Sequence, residues 1–414
     1  MVANMNKRLE LPYWIQLICM AFMTFSLLQG YYSITARAWL WVPLSCAVCI
    51  YMNTKVLRSM QIVWYMLNAS VVLLNTFAGK SYNSPISTIL ILSIMLWALS
   101  FPFLFQNGIN EKFVKYFAIM ELVIVIITSV LTIIVDSSLP GIVRQTVTFT
   151  IEGRSELALQ YYRLGVCEYG LPHAIPIIMP AIVMYARTNE FSVIKRLVSL
   201  IIILILGYFV FISGVTTAIL LFLFSIAASS LISINSRKKS YRRIIILCVF
   251  ALPLVNDNVI LSILSGLEEI VPAENSFNGK LISMENTIRY GEADGSVDAR
   301  EEKYNISLQT FLNNPIIGGN GAKNAGGHSI ILDSFSAYGL IGGIPLLLLI
   351  LYHLSFVYKI LSDKYRLTFI IGAICFIAML ATKNMSNVYT WMFVSAFLPI
   401  LLFYEQIELE KNEY

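Results

Sequence analysis

The sequence predicts an all-α, polytopic membrane protein with about 12 transmembrane helices. Hydrophobic residues occupy 57% of the 414 positions and charged residues only 13%, whereas soluble domains carry roughly 25% charged residues. The apolar residues are also concentrated in runs of the length that crosses a bilayer, about 17–25 residues. A soluble chain of this length would need more charge to cover its surface, so much of this surface must face lipid.

The apolar runs give the predicted spans in chain order. They lie at 12–29, 38–53, 60–78, 85–105, 115–135, 172–187, 197–213, 215–233, 244–263, 329–354, 367–382 and 388–404. Several runs are short or contain polar residues, such as Asn68 and Asn75 in the third, so their boundaries are approximate. We interpret the whole chain, 1–414, as a single membrane domain.

The distribution of basic residues predicts the orientation of these spans. If the N-terminus is cytoplasmic, the short connections and termini on that side carry Lys7, Arg8, Lys55, Arg58, Lys112, Lys115, Arg187, Lys195, Arg196, Arg237, Lys238, Lys239, Arg242, Arg243, Lys359, Lys364, Arg366 and Lys411. Short cytoplasmic loops are enriched in Lys and Arg. Both termini are therefore predicted to be cytoplasmic.

Two long loops, at about 136–171 and 266–327, then lie on the external side. Connections longer than about 12–15 residues usually carry function or are disordered. In the second loop, segment 299–313 has apolar or aromatic residues at 304, 308, 311 and 312. This spacing predicts a helix lying on the outer face of the protein.

Two titratable residues close to the second loop are candidates for chemistry. His328 lies at the outer mouth of a predicted helix, where a neutral imidazole can accept a proton; the alternative is an interfacial histidine bonded to a loop carbonyl. Asp333 lies in the apolar part of the same helix, and a carboxylate at that depth is a functional candidate by default. The alternative for Asp333 is a structural hydrogen bond to a neighbouring Tyr or Ser.

Arginines are the third group of candidates. Arg144, Arg154 and Arg163 lie in the first external loop, and Arg300 begins the predicted surface helix. Guanidinium groups suit phosphate recognition, since they stay charged and bind in a bidentate manner; the alternative is that they are solvated loop charges. The net charge of +5 is too modest to indicate a nucleic-acid partner. Three histidines and scattered cysteines offer little for a metal site, so neither a metal nor a cofactor is predicted.

The second loop and the helix after it contain a pattern that resembles the O-antigen polymerase and O-antigen ligase superfamily. The pattern consists of Arg300, the sequence NPIIGGNG at 314–321, His328-Ser329, and Gly339 and Gly342. Arg163-Leu164-Gly165 is similar to the arginine and glycine that precede a membrane helix in that family. The spacing of Arg154, ten residues and then Gly165 is similar to a second arginine pattern of the polymerases. The span number, the internal termini and the large late external loop extend the resemblance over the whole chain.

The resemblance implies a glycosyltransferase-C-like fold and glycosyl transfer without a metal, on undecaprenyl-diphosphate-linked sugars at the periplasmic face of the inner membrane. It implies His328 as general base and Arg163, Arg300 and Arg154 as residues that bind the diphosphate. Supporting candidates are Asp333, Tyr304 and Asn320. The implied partners are the lipid-linked donor and acceptor glycans, the lipid bilayer and a chain-length regulator protein.

One departure from the family pattern weakens the ligase alternative. Family members often have an arginine between Ser and Thr, or a similar element, at a helix boundary in the middle of the chain. The matching stretch here, 212–218, has no arginine. The ligase, which transfers the finished chain to lipid A-core, remains one alternative. A flippase or transporter is another, although the sequence shows few intramembrane charges and no paired broken helices of the transporter kind.

Overall fold

The chain folds as a bundle of helices, and the part that the structure describes contains no β-strand. This computed structural model describes residues 10–28, 37–81, 84–106, 108, 110–151, 154–167, 169–188, 190–232, 257–271, 278–279, 281–282, 285–286, 298–319, 321, 323, 325–382 and 388–412. The all-helical fold class is confirmed.

The helices follow one another with short connections over most of the described chain. They are α1 (Leu11–Leu28), α2 (Arg37–Met52), α3 (Met60–Phe77), α4 (Pro85–Ser100), α5 (Glu111–Asp136), α6 (Ile142–Ile151), α7 (Ser155–Arg163), α8 (Gly170–Arg187), α9 (Val193–Ile212), α10 (Thr216–Leu231), α11 (Asp257–Ile270), α12 (Asp298–Asn313), α13 (Ile330–Ile360), α14 (Asp363–Thr382), α15 (Val388–Met392) and α16 (Leu398–Asn412). Thr54–Arg58 and Phe101–Phe105 form 3-10 turns, and Phe393–Phe397 forms a π-helical turn that joins α15 to α16.

Seven helical segments in the described chain are long and apolar enough to cross a membrane, which makes this a polytopic membrane protein. They are Met60–Phe77, Pro85–Phe105, Glu111–Asp136, Val193–Ile212, Ile330–Ile360, Asp363–Thr382 and Tyr389–Glu410. Shorter apolar helices cover Leu11–Thr24, Trp41–Met52 and Thr216–Leu231. Described helices overlap every predicted span, but most of the ninth, 244–263, lies outside the described residues, as does the basic cluster at 237–243.

Helix α8 forms the centre of the bundle. Nearly all of its side chains from Gly170 to Ala186 are buried, and it packs against α9, α10, α14 and α16. It contains Pro176 and Pro180, each of which removes one backbone N–H donor from the helix. A helix surrounded by protein tolerates this composition because its neighbours, rather than lipid, cover it. The long helix α13 packs along α3 at the side of this core.

Helix α13 is broken at Gly339, whose backbone has φ 60° and ψ −155°. Only glycine adopts this conformation readily. The break separates a short N-terminal part of the helix, 330–338, from a long C-terminal part, 340–360. A side chain on Gly339 would also overlap the carbonyl of Ile316, which lies directly against it.

Residues 315–321 close the break with backbone hydrogen bonds. The N–H groups of Gly319 and Gly321 donate to the carbonyls of Ser336 and Ala337 at 2.8 and 3.2 Å, and Leu340 N–H donates to Pro315 at 2.8 Å. A further bond joins Ile341 N–H to the Ile316 carbonyl at 3.2 Å. The NPIIGGNG segment therefore satisfies the backbone groups that the broken helix leaves without intrahelical partners.

Replacing Gly339 should destabilise the protein more than replacing another glycine of positive φ. Gly79 has φ 74° but open space where a Cβ would lie, so Gly79→Ala should cost only about 1–2 kcal/mol of backbone strain. Gly339→Ala adds a collision with Ile316, so we expect a clearly larger drop in the melting temperature of the purified protein in detergent. Equal melting temperatures for the two variants would contradict the close approach described here.

Candidate functional site

The predicted helix at 299–313 is confirmed as α12, and its contact with the loop before α13 forms the centre of the candidate site. The ammonium nitrogen of Lys303 lies 3.1 Å from Nε2 of His328. Gly326 packs so tightly on α12 that a Cβ there would overlap the Lys303 carbonyl. An ammonium has only donors, so Nε2 of His328 is the acceptor in this contact. His328 is partly buried.

Asp333 fixes the loop that carries His328. Its carboxylate accepts hydrogen bonds from the Ser307 hydroxyl of α12 at 2.7 Å, from Gly327 N–H at 3.3 Å and from Ser329 N–H at 3.0 Å. Ser307 also accepts the N–H of Gly326 at 2.8 Å. One carboxylate thus joins α12, the glycine loop and the start of α13.

The interpretation of Asp333 as a carboxylate deep in an apolar helix is wrong. Asp333 lies in the first turn of α13, which begins after the capping residue Ser329, whose hydroxyl accepts the N–H of Leu332 at 3.1 Å. The first turn of a helix presents unpaired N–H groups and a partial positive charge, both of which stabilise a carboxylate. Asp333 has the structural hydrogen bond of the second interpretation, with Ser307 as one partner.

Of the remaining candidates in the second loop, Arg300 and Tyr304 lie on α12. Arg300 lies on the same side of this helix as Lys303 and Ser307, because residues three and seven positions apart share a helical face. Tyr304 is partly buried on the neighbouring side. Asn320 lies outside the described residues. The backbone therefore brings the position of Arg300 to the side of α12 that meets the His328 loop.

The apolar positions that predicted α12 do not form its main contact with the protein. Phe311 packs edge-on against Phe335 of α13, with ring centroids 5.5 Å apart. Leu308 and Leu312, however, are 42% and 57% exposed. The packed side of α12 carries Lys303 and Ser307 instead, so the periodicity identified the helix but not the face that docks.

Arg163 is the last residue of α7 and Arg154 directly precedes its first. Helix α7 packs against α6, and α6 packs against α5. Both side chains are exposed, and the Arg154 guanidinium stacks over Phe149 at 4.9 Å. Gly165 ends α7 with φ 91° and packs on Leu131 of α5. The described contacts of these two arginines lie within the α5–α7 region.

Three lysines that the sequence interpretation missed lie on the segments that meet here. Lys303 contacts His328 directly, and Lys323 N–H donates to the carbonyl of Lys80, which follows α3, at 3.3 Å. The sequence offered one signal for Lys303: with Arg300 and Ser307 it forms a polar stripe on α12 at helical spacing. The lysines add positive charge around the loop at 315–329.

Comparison of the chain with protein-family models and with curated proteins finds no match.

Removing the Asp333 carboxylate should loosen the His328 loop without unfolding the bundle. Hydrogen bonds to charged groups contribute about 1.5–3 kcal/mol each, so in Asp333→Ala we expect amide hydrogen exchange at Gly327 and Ser329 to accelerate about ten- to a hundredfold. Asp363→Ala is the matched control, because Asp363 also lies in the first turn of a helix but is exposed. Unchanged exchange at Gly327 and Ser329 in Asp333→Ala would contradict this role.

Proposed function

We propose that this protein is an O-antigen polymerase, which joins undecaprenyl-diphosphate-linked oligosaccharide repeat units into long polysaccharide at the periplasmic face of the inner membrane. The observation that carries the proposal is the position of His328. It lies partly buried at the start of α13, in contact with Lys303 and beside the face of α12 that carries Arg300. A potential base and several cations at one place suit a reaction that takes a proton and releases a diphosphate.

The proposal includes 12 spans with both termini in the cytoplasm. Supporting this topology, described helices overlap the predicted spans, and Lys80, which follows α3, meets the loop at 315–329. Helices α4 and α5 follow α3 and are joined by a short connection, which favours an antiparallel pair. The chain path therefore leads α6 and α7, with Arg154 and Arg163, to the end of the bundle where His328 lies.

In the proposed reaction, a hydroxyl of the acceptor sugar attacks the anomeric carbon of the donor. The new glycosidic bond forms as the bond to the diphosphate oxygen breaks, and undecaprenyl diphosphate leaves with the bonding electrons. His328 takes the hydroxyl proton as general base. Arg300 and Arg163, assisted by Arg154, stabilise the negative charge that grows on the leaving diphosphate. A single displacement inverts the configuration at the anomeric carbon.

Lys303 adds a step that the sequence pattern does not contain. Its ammonium donates a hydrogen bond to Nε2 of His328. A charged diphosphate binds an ammonium more strongly than a neutral ring nitrogen does. Binding of the donor would draw Lys303 to the diphosphate and free the nitrogen that must accept the proton. Tyr304, on the same helix, is available to stack on a sugar ring.

The break in α13 is the one feature described here that favours the transporter alternative, because transporters bind substrates at broken helices. In this protein, residues 315–321 satisfy the backbone groups at the break. A transporter site would leave such groups facing a cavity instead. The break therefore supports the enzyme better than a transporter.

Replacing the proposed base and the proposed diphosphate ligand should stop polymerisation. We expect His328→Ala to lower the rate roughly 10²- to 10⁴-fold, the usual contribution of a general base, and His328→Ala and Arg300→Ala each to abolish long-chain lipopolysaccharide ladders at normal protein abundance. Arg144→Ala is the control, since Arg144 is an exposed arginine of the first loop outside the pattern. Normal ladders from His328→Ala and Arg300→Ala would refute the assignment.

Deletion of the gene separates the polymerase from the ligase. A polymerase deletion should leave lipid A-core carrying a single repeat unit, because transfer to the core continues without chain growth. Lipid A-core without any repeat unit would indicate the ligase instead. The banding pattern of lipopolysaccharide on a gel distinguishes these outcomes.

Labelling of single cysteines tests the topology on which the proposal depends. A cysteine introduced at Lys323, which is exposed, should react with a membrane-impermeant thiol reagent added from the periplasmic side. A cysteine at exposed Lys112, at the start of α5, should not react. The reverse pattern would place the His328 loop in the cytoplasm and overturn the proposed function.

A further inference from the structure

A cleft lies at the opposite end of α13 from His328. Its volume is about 440 Å³, within the range of about 300–1,000 Å³ typical of small-molecule sites. It is lined by Lys55, Arg58 and Ser59, by Met60 and Gln61 of α3, by Phe103 and Gln106, and by Tyr352, Ser355, Phe356 and Lys359 of α13. The cleft thus lies between two helices that pack along each other, α3 and α13.

The cleft carries positive charge from two separate elements. Lys55 and Arg58 come from the 3-10 turn at Thr54–Arg58, and Lys359 comes from the last turn of α13. None of the described residues that line it is acidic. A cleft lined by charges of one sign concentrates the electric field and attracts counter-ions. These three cations, together with the Ser355 hydroxyl and the Gln106 amide, complement a phosphate group.

The turn that carries two of these cations is held rigidly. The side-chain amide of Asn53 donates to the Phe103 carbonyl at 2.8 Å, while its oxygen accepts the N–H of Lys55 at 3.1 Å. Val56 is fully buried beneath the turn, and Phe103 stacks on Phe356 with ring centroids 4.2 Å apart. The cations therefore project from a fixed frame, which lowers the cost of ordering them around a ligand.

The surroundings of the cleft favour a lipid over a soluble phosphate. Met60, at the rim, begins a stripe of exposed apolar side chains on α3 that continues through Val63 and Leu67 at helical spacing. An acyl chain can lie along such a stripe while its head group occupies the cleft. Basic pockets between helices on the cytoplasmic side of membrane proteins bind anionic head groups, and the distribution of Lys and Arg predicts that this end is cytoplasmic.

We propose that this cleft binds the phosphate of an anionic phospholipid from the cytoplasmic leaflet, between Lys55, Arg58 and Lys359. The site is independent of the proposed glycosyl transfer, because it lies at the other end of α13. It fixes the position of the α3–α13 pair relative to the membrane.

Native mass spectrometry of the purified full-length protein in detergent tests the site, with phosphatidylglycerol as the probe and phosphatidylcholine as the zwitterionic comparison. Each cation near an anionic surface contributes about 1 kcal/mol, so Arg58→Gln/Lys359→Gln should bind phosphatidylglycerol at least about tenfold more weakly. Lys112→Gln/Lys115→Gln removes the same charge at exposed positions at the start of α5, outside the cleft. This control should bind within about twofold of the unmodified protein.

Several outcomes would overturn the proposal. Equal losses in the two double variants would mean that the lipid responds to overall charge rather than to the cleft. Unchanged binding by Arg58→Gln/Lys359→Gln, or equal binding of phosphatidylcholine, would show that the cleft is not a site for anionic lipid. If inorganic phosphate at millimolar concentration displaces phosphatidylglycerol, the cleft is a site for free phosphate and the lipid assignment fails. Matching melting temperatures for all variants exclude misfolding as the cause.

Discussion

The arrangement of the candidate site depends on the break in α13 at Gly339. In hydrocarbon, each backbone N–H or carbonyl without a partner costs several kcal/mol, so a broken helix at membrane depth needs another segment to satisfy it. Residues 315–321 provide those hydrogen bonds, two as donors and two as acceptors. The glycines of this segment are explained by the same requirement, since side chains at Gly318 and Gly319 would collide with α13 and with Thr310 of α12.

This backbone pairing determines where the catalytic candidate lies. Gly321 pairs with the break and Ser329 caps the start of the same helix, so the loop that connects them, 322–328, is short. Asp333 and Ser307 then join that loop to α12. His328 is therefore positioned by contacts made on both sides of it, rather than by its own side chain. Within the pattern at 314–342, Pro315 and the glycines hold this geometry, whereas His328 is the candidate for a direct chemical role.

The sequence predicted the apolar helices, because hydropathy depends only on the composition of one segment. It did not predict the contacts between segments. Apolar helices were located from the sequence because hydropathy reports the transfer of a whole segment to lipid, and seven of those described are long enough to cross a membrane. The surroundings of Asp333 could not be predicted, because hydropathy does not reveal a hydrogen bond from the Ser307 hydroxyl, 26 positions away in the chain. The apolar spacing of α12 also does not identify its docking face, because in a membrane protein exposed Leu308 and Leu312 can face lipid as favourably as protein. Gly339 is part of the pattern identified in the sequence, but the break at this residue could not be predicted. A glycine within a helical run is tolerated, and it is the close contact with Ile316 that requires the break.

The contact between Lys303 and His328 bears on how the proposed enzyme would avoid unproductive chemistry. A base with its lone pair free could activate any hydroxyl that reached the loop, including water, whether or not a donor was present. With Lys303 on Nε2, activation of the acceptor requires a competing anion that withdraws the ammonium. The donor diphosphate is such an anion, and the transition state, in which charge grows on that diphosphate, competes for Lys303 more strongly than the ground state. The same lysine would then contribute twice, by releasing the base and by stabilising the leaving group, and both contributions are largest in the transition state, where they accelerate the reaction most.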